Sequence, residues 1–132
     1  MHLEFVVPGP PISNQSPGPN LTNWRALVLA EANSRWNNPP LKGNIKVILI
    51  NFYIGSKPSV DIDNMSKPFL DVMQESVYED DRQIRQAEIS LVRIDAPFVV
   101  GASKILVAAV QVGNQFVYVR IEDPVDPFPL PN

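Results

Sequence analysis

Ile45-Lys46-Val47-Ile48-Leu49-Ile50-Asn51-Phe52-Tyr53-Ile54 is a ten-residue run rich in β-branched and aromatic side chains, with almost no polar interruption. Such a run reads as a strand buried on both faces, and so as the central strand of a sheet. Gly55-Ser56-Lys57-Pro58-Ser59 breaks it, and the chain passes at once into Val60-Asp61-Ile62-Asp63-Asn64-Met65-Ser66-Lys67. A rigid core strand thus feeds an acidic motif on an edge or loop, which is the placement a functional site needs.

In extended backbone alternate residues share a face, so the spacing predicts Asp61 and Asp63 as two carboxylates side by side. Like charges that close repel and raise each other's pKa, and a bound divalent cation relieves the repulsion most simply. Asp63 or Asn64 then caps a helix running from about Met65 to Val77, with Pro68 tolerated in its first turn. Met65, Phe69, Val72 and Met73 mark the core face of that helix, while Asp71 and Glu75 read as its solvated face. Lys67 stands one turn on, above the same carboxylates, at a helix start that also favours phosphate. Two acids and a cation gathered there read as a metal-dependent phosphodiester site. A calcium loop fits poorly, because Met65 and Ser66 occupy the positions where that loop wants an oxygen donor and a glycine.

Working outward, Leu3 to Val7 is a strand closed by Pro8, Pro10 and Pro11, and a stiff loop continues through Pro17-Gly18-Pro19. From Trp24 the residues Leu27, Val28 and Ala32 recur at three and four, predicting an amphipathic helix to about Trp36 with Arg25 and Arg35 outward and both tryptophans packed. Asn37-Asn38-Pro39-Pro40 ends it. Downstream comes an acidic return, Tyr78-Glu79-Asp80-Asp81-Arg82-Gln83-Ile84, and then a strand from Arg85 to Ile94. Asp95 to Ser103 reads as a loop, and Lys104 to Val112 with Gln115 to Ile121 as a hairpin turning on Gly113-Asn114. The result is one small α+β domain over residues 1–121, a mixed sheet of four to five strands with two main helices. Residues 122–132 read as an acidic, proline-rich disordered tail.

Composition narrows the chemistry. At 132 residues the chain is long enough for a real core, and with no cysteine it has no disulfide, thiolate zinc site or cysteine nucleophile. The one histidine, His2, sits at a terminus and reads as solvated, so any metal is held by oxygen. The opening residues lack a basic leader and a membrane-length apolar run, and the expectation is a soluble, cytoplasmic protein with no membrane partner. The formal charge is −3, yet seven of the 14 acidic residues and only one of the 11 bases lie between 61 and 81. Outside that stretch the chain is mildly basic.

Asp61-Ile62-Asp63-Asn64, Lys67-Pro68, Leu70-Asp71, Tyr78-Glu79-Asp80-Asp81 and Gln83-Ile84 resemble, in order and spacing, the signature of RusA-type Holliday junction resolvases. The start Val6-Val7-Pro8-Gly9-Pro10-Pro11 is similar to that family's first strand and Gly-Pro loop. The resemblance implies a small α/β homodimer that binds four-way, branched DNA and makes paired symmetric nicks with Mg2+, for which Mn2+ could substitute. It matches Asp61, Asp63 and Asp81 to the family's essential carboxylates, as catalytic and metal-holding residues, and Lys67 to its essential lysine. Lys57, Arg82, Arg85 and Arg93 are then the candidates for DNA contact. The loop Ile12-Ser13-Asn14-Gln15-Ser16 departs from the pattern in being uncharged, which points to weak or strongly salt-sensitive junction binding. The rival reading is a non-catalytic module that grips branched DNA or a protein without cutting.

Overall fold

The computed structural model describes residues 1–99 and 101–132. In chain order the elements are β1 (Leu3–Pro8), α1 (Pro19–Arg35), β2 (Ile45–Tyr53), α2 (Ile62–Met73), a 3-10 turn (Asp81–Gln83), β3 (Ile84–Arg93), α3 (Lys104–Val112) and β4 (Phe116–Glu122). They build an α+β domain around one mixed four-stranded sheet with strand order β1-β4-β2-β3. β2 and β3 are parallel, joined through α2, whereas β4 lies antiparallel to both β1 and β2. β2 is central and buried along most of its length, as its largely apolar run requires.

Alternation along the strands splits the apolar residues between two faces. Val47 and Leu49 of β2, Val117, Val119 and Ile121 of β4 and Phe5 and Val7 of β1 meet Trp24, Val28 and Ala32 of α1 and Met65, Phe69 and Met73 of α2. Trp24 and Phe69 close this core edge to face, with centroids 5.8 Å apart. On α1 the buried residues recur at every fourth position, so Leu27, expected inward, is turned out. The opposite face carries Phe52, Phe116 and Tyr118, covered by Leu106, Ala109 and Val110.

Those last three residues belong to a helix where the sequence predicts a strand. Lys104–Val112 is α3, begun by Ser103, whose Oγ accepts from the Leu106 N–H at 3.2 Å, and ended by Gly113 in the left-handed region at φ 82°. Its largely apolar run, polar only at Lys104 and Gln111, fits either element, and the caps at both ends decide for helix. Gly113-Asn114 is therefore a helix end and not a hairpin turn, and β4 inserts between β1 and β2. Val100, in the loop expected between Asp95 and Ser103, lies outside the described residues. His2 is not simply solvated: its Nε2 is 2.7 Å from Asp123 Oδ1. Past Glu122, the last residue of β4, the chain is irregular, and the Val125 N–H donates to Gln86 Oε1 at 2.7 Å.

Candidate active site

The loop after β2 delivers the chain to α2 at the carboxyl end of the parallel pair β2 and β3, the end where open α/β sheets place their ligand crevices. α2 starts three residues earlier than the sequence suggests. Its cap is Asp61, whose Oδ1 accepts from the Asn64 N–H at 2.9 Å while Oδ2 lies 3.4 Å from Asn64 Nδ2. Capping satisfies an orphan donor of the first turn, and that favours helix over the extended backbone expected for 61–63. Asp63 is consequently in the first turn, exposed, with its charge favourably placed at the positive end of the helix. The two carboxylates share a helix start and not a strand face.

Pro68 lies inside α2, beyond the first turn where the sequence reading had put it. Lacking an N–H, it leaves the carbonyl of Asn64 without its intrahelical partner. That carbonyl is taken by the backbone N–H of Asn14 at 3.0 Å, which pins the uncharged 12–16 loop to the first turns of α2. Asn14 Oδ1 in turn accepts from Arg25 Nη2 at 3.2 Å, and the same guanidinium reaches Asp71 Oδ2 at 3.4 Å. Lys67 Nζ is 3.5 Å from Asp71 Oδ1. Asp71, read from sequence as a solvated residue, is half-buried and joins two cations; Arg25, read as outward, is half-buried beside it.

Asp81 stands at the other end of α2. The Tyr78 hydroxyl lies 2.7 Å from the Leu70 carbonyl oxygen and 3.2 Å from Asp81 Oδ1. With its amide nitrogen facing Asp81, Gln74 donates to Oδ1 at 3.1 Å and Oδ2 at 2.9 Å. Burial first, and then the charges of Asp81 and Asp71, push the Tyr78 phenol well above its ordinary range, so it stays a donor. Gln83 fixes the acidic return itself: Oε1 accepts from the N–H groups of Glu79 and Asp80 at 2.8 Å, and Nε2 donates to the carbonyls of Leu41 and Gly43 at 2.8 Å. Asp80 is a local partner of Arg82, whose side-chain and backbone hydrogen bonds hold its carboxyl at about 2.

Among the described residues no three acids or histidines are grouped as metal ligands, so Asp61, Asp63 and Asp81 do not form a three-ligand cluster within the chain. Their chemistry nevertheless fits a hard cation. Among the described residues none of the three is in a salt bridge, whereas Asp71, Asp80, Asp95, Glu88 and Glu122 all are. Asp61 and Asp81 are instead oriented by neutral donors, Asn64, Gln74 and Tyr78, which leave the negative charge available to an ion.

The model of the family Endodeoxyribonuclease RusA matches residues 16–107, from the loop before α1 into α3. The chain belongs to the RusA endodeoxyribonuclease family. No curated protein matches it. As a RusA-type resolvase it is a nuclease acting on Holliday junctions, and among the described residues no helix is long and apolar enough to cross a membrane. The RusA match spans the whole acidic motif and the acidic return, together with Asn14's neighbours on α1 and α2.

Of the cations expected to meet DNA, Lys57 is exposed on the loop that leads to Asp61. Arg93 ends β3 on that same side of the sheet, paired with Asp95 at 2.7 Å. Arg82 is occupied by Asp80 at 2.8 Å, and Arg85, second residue of β3, lies at the opposite end, lining a groove with Val125, Asp126 and Phe128 of the tail. Sequence reasoning missed Asn14, Arg25, Gln74 and Tyr78, and misjudged Asp71. Two signals were present: Asp71 follows Lys67 by one turn, and Pro68 four residues after Asn64 implies a carbonyl in need of a donor.

Proposed function

We propose that this RusA-family chain is a magnesium-dependent homodimer that resolves four-way DNA junctions by paired, symmetric nicks, with manganese able to replace magnesium. The observation that carries the reading is the carboxylates Asp61 and Asp63 at the start of α2, without a salt bridge among the described residues, with Lys67 on the next turn, in a chain of this family. Magnesium keeps several waters and takes few carboxylates, so Asp61 and Asp63 with one further aspartate suffice to hold it. When bound, the ion supplies Lewis-acid stabilisation of the scissile phosphate and a more acidic water. Lys67 offsets the negative charge that grows on the phosphate during attack, and Lys57 and Arg93 steady the DNA backbone on the same side.

The third carboxylate is the partner subunit's Asp81. What supports this is distance: α2 has 12 residues, about 18 Å at 1.5 Å per residue, and Asp81 is tied to its last turn through Gln74 and Tyr78. A two-fold dimer would then assemble two sites, each from both subunits, facing a junction of the same symmetry.

The test is a nicking assay with Mg2+ on a synthetic four-way junction, beside a linear duplex of the same sequence. Symmetric nicks in the junction alone, lost in Asp61→Asn, are expected. Binding without cutting would turn the reading to a non-catalytic module, and equal cutting of the duplex would remove junction specificity.

A further inference from the structure

Lys67 has a carboxylate one helical turn to either side, Asp63 before it and Asp71 after it. It sits on Asp71 at 3.5 Å, and among the described residues it makes no ion pair with Asp63. Asp71 is shared: Arg25 Nη2 reaches its other oxygen at 3.4 Å and is braced by Asn14 Oδ1 at 3.2 Å. The two cations are held very differently. The Lys67 side chain is 61% exposed on a flexible stem, whereas Arg25 is half-buried and tied through Asn14 to the Asn64 carbonyl.

An exposed pair one turn apart is weak, so Lys67 leaves Asp71 readily when a phosphate offers more. Asp71 is the harder part of the exchange. A half-buried carboxylate stripped of its counter-charge is costly, and alone it would draw the lysine back. Arg25 removes that cost, because it stays on Asp71 after Lys67 departs. We infer that Arg25 and Asp71 form a positioning pair that seats Lys67 beside the site and releases it to the scissile phosphate. Arg25 acts through Asp71 and does not touch DNA. The inference rests on the reading of Lys67 as the site's cation.

A double-mutant cycle of Arg25→Gln and Asp71→Asn tests it, using single-turnover junction nicking at saturating protein, junction affinity, and melting curves to confirm folding. Arg25→Gln should cut about tenfold slower with affinity within about twofold of the parent, because Asp71 now holds Lys67. In the Asp71→Asn background the same change should cost less than about twofold, and Arg25→Lys should recover most of the rate. Equal slowing by Arg25→Gln in both backgrounds, or a loss that appears in affinity and salt dependence, would overturn the inference, since Arg25 would then act on the DNA. Lys67→Gln separates the two levels: if it cuts like the parent, the site reading fails together with the inference. If it is inactive while the cycle is additive, only the inference fails.

Discussion

Asp61 caps α2 and offers a charge, and the two roles can be pulled apart because asparagine caps as well as aspartate. Asp61→Asn should therefore melt within about 0.5 kcal/mol of the parent without metal. The parent should gain about 2.7 kcal/mol at a hundredfold excess of Mg2+ over its Kd, and the variant nothing; melting curves indifferent to Mg2+ in both proteins would remove the ion from this site. Asn51 poses the opposite case. It is fully buried on β2 and neither amide atom has a partner among the described residues, a burden of about 1–3 kcal/mol. Asn51→Leu should raise the unfolding free energy by about that amount in denaturant titration, and a fall would reveal a partner for the amide. Asp80 sets an acid limb. Its folded pKa of about 2 lies below the ordinary carboxylate value, so its contribution is present above pH ~4 and fades as pH falls toward 2. Asp80→Asn should flatten stability between those limits; identical acid limbs would show that the Arg82 pair adds nothing.

At the level of elements, α3 depends on its two ends. Ser103→Ala should cost about 1 kcal/mol by removing the cap on the Leu106 N–H. Gly113→Ala should cost about as much, because only glycine takes φ 82° without strain. A thermal shift near zero for both would mean that packing alone holds the helix. The same element marks where reading from sequence stopped. β2 was legible because a ten-residue run interrupted only by Lys46 and Asn51 admits few alternatives beside a Gly-Ser-Lys-Pro break, and α1 because Trp24, Val28 and Ala32 repeat at helical spacing. α3 was not, since its run of apolar residues from Ile105 to Val110 has no clear period and Ser103 and Gly113 serve turns as well as caps. At the site, the acidic residues and Lys67 could be picked out because a cluster of charge beside an apolar strand is conspicuous in a sequence. Their arrangement could not: the Arg25 hold on Asp71 joins residues 46 apart and the Asn14 bond to Asn64 spans still more of the chain, and local spacing carries no trace of such pairs.

For the whole molecule the charge balance matters most. The chain carries a formal −3, with half of its acids between residues 61 and 81 and its bases elsewhere only mildly in excess, so junction binding should weaken steeply with salt. The homodimer reading expects a dimer mass by light scattering at micromolar concentration. Its sharper consequence concerns the site itself, because α2 separates Asp81 from Asp61 and Asp63 within each subunit. The measurement that goes straight to this is junction nicking by a co-expressed, doubly tagged heterodimer of Asp61→Asn and Asp81→Asn subunits, beside each inactive homodimer. If sites are shared between subunits, the heterodimer holds one intact set of carboxylates and should nick one strand of the four-way junction with Mg2+. If it stays as inactive as its parents, each subunit uses its own Asp81, and the account of a site assembled across the dimer is wrong.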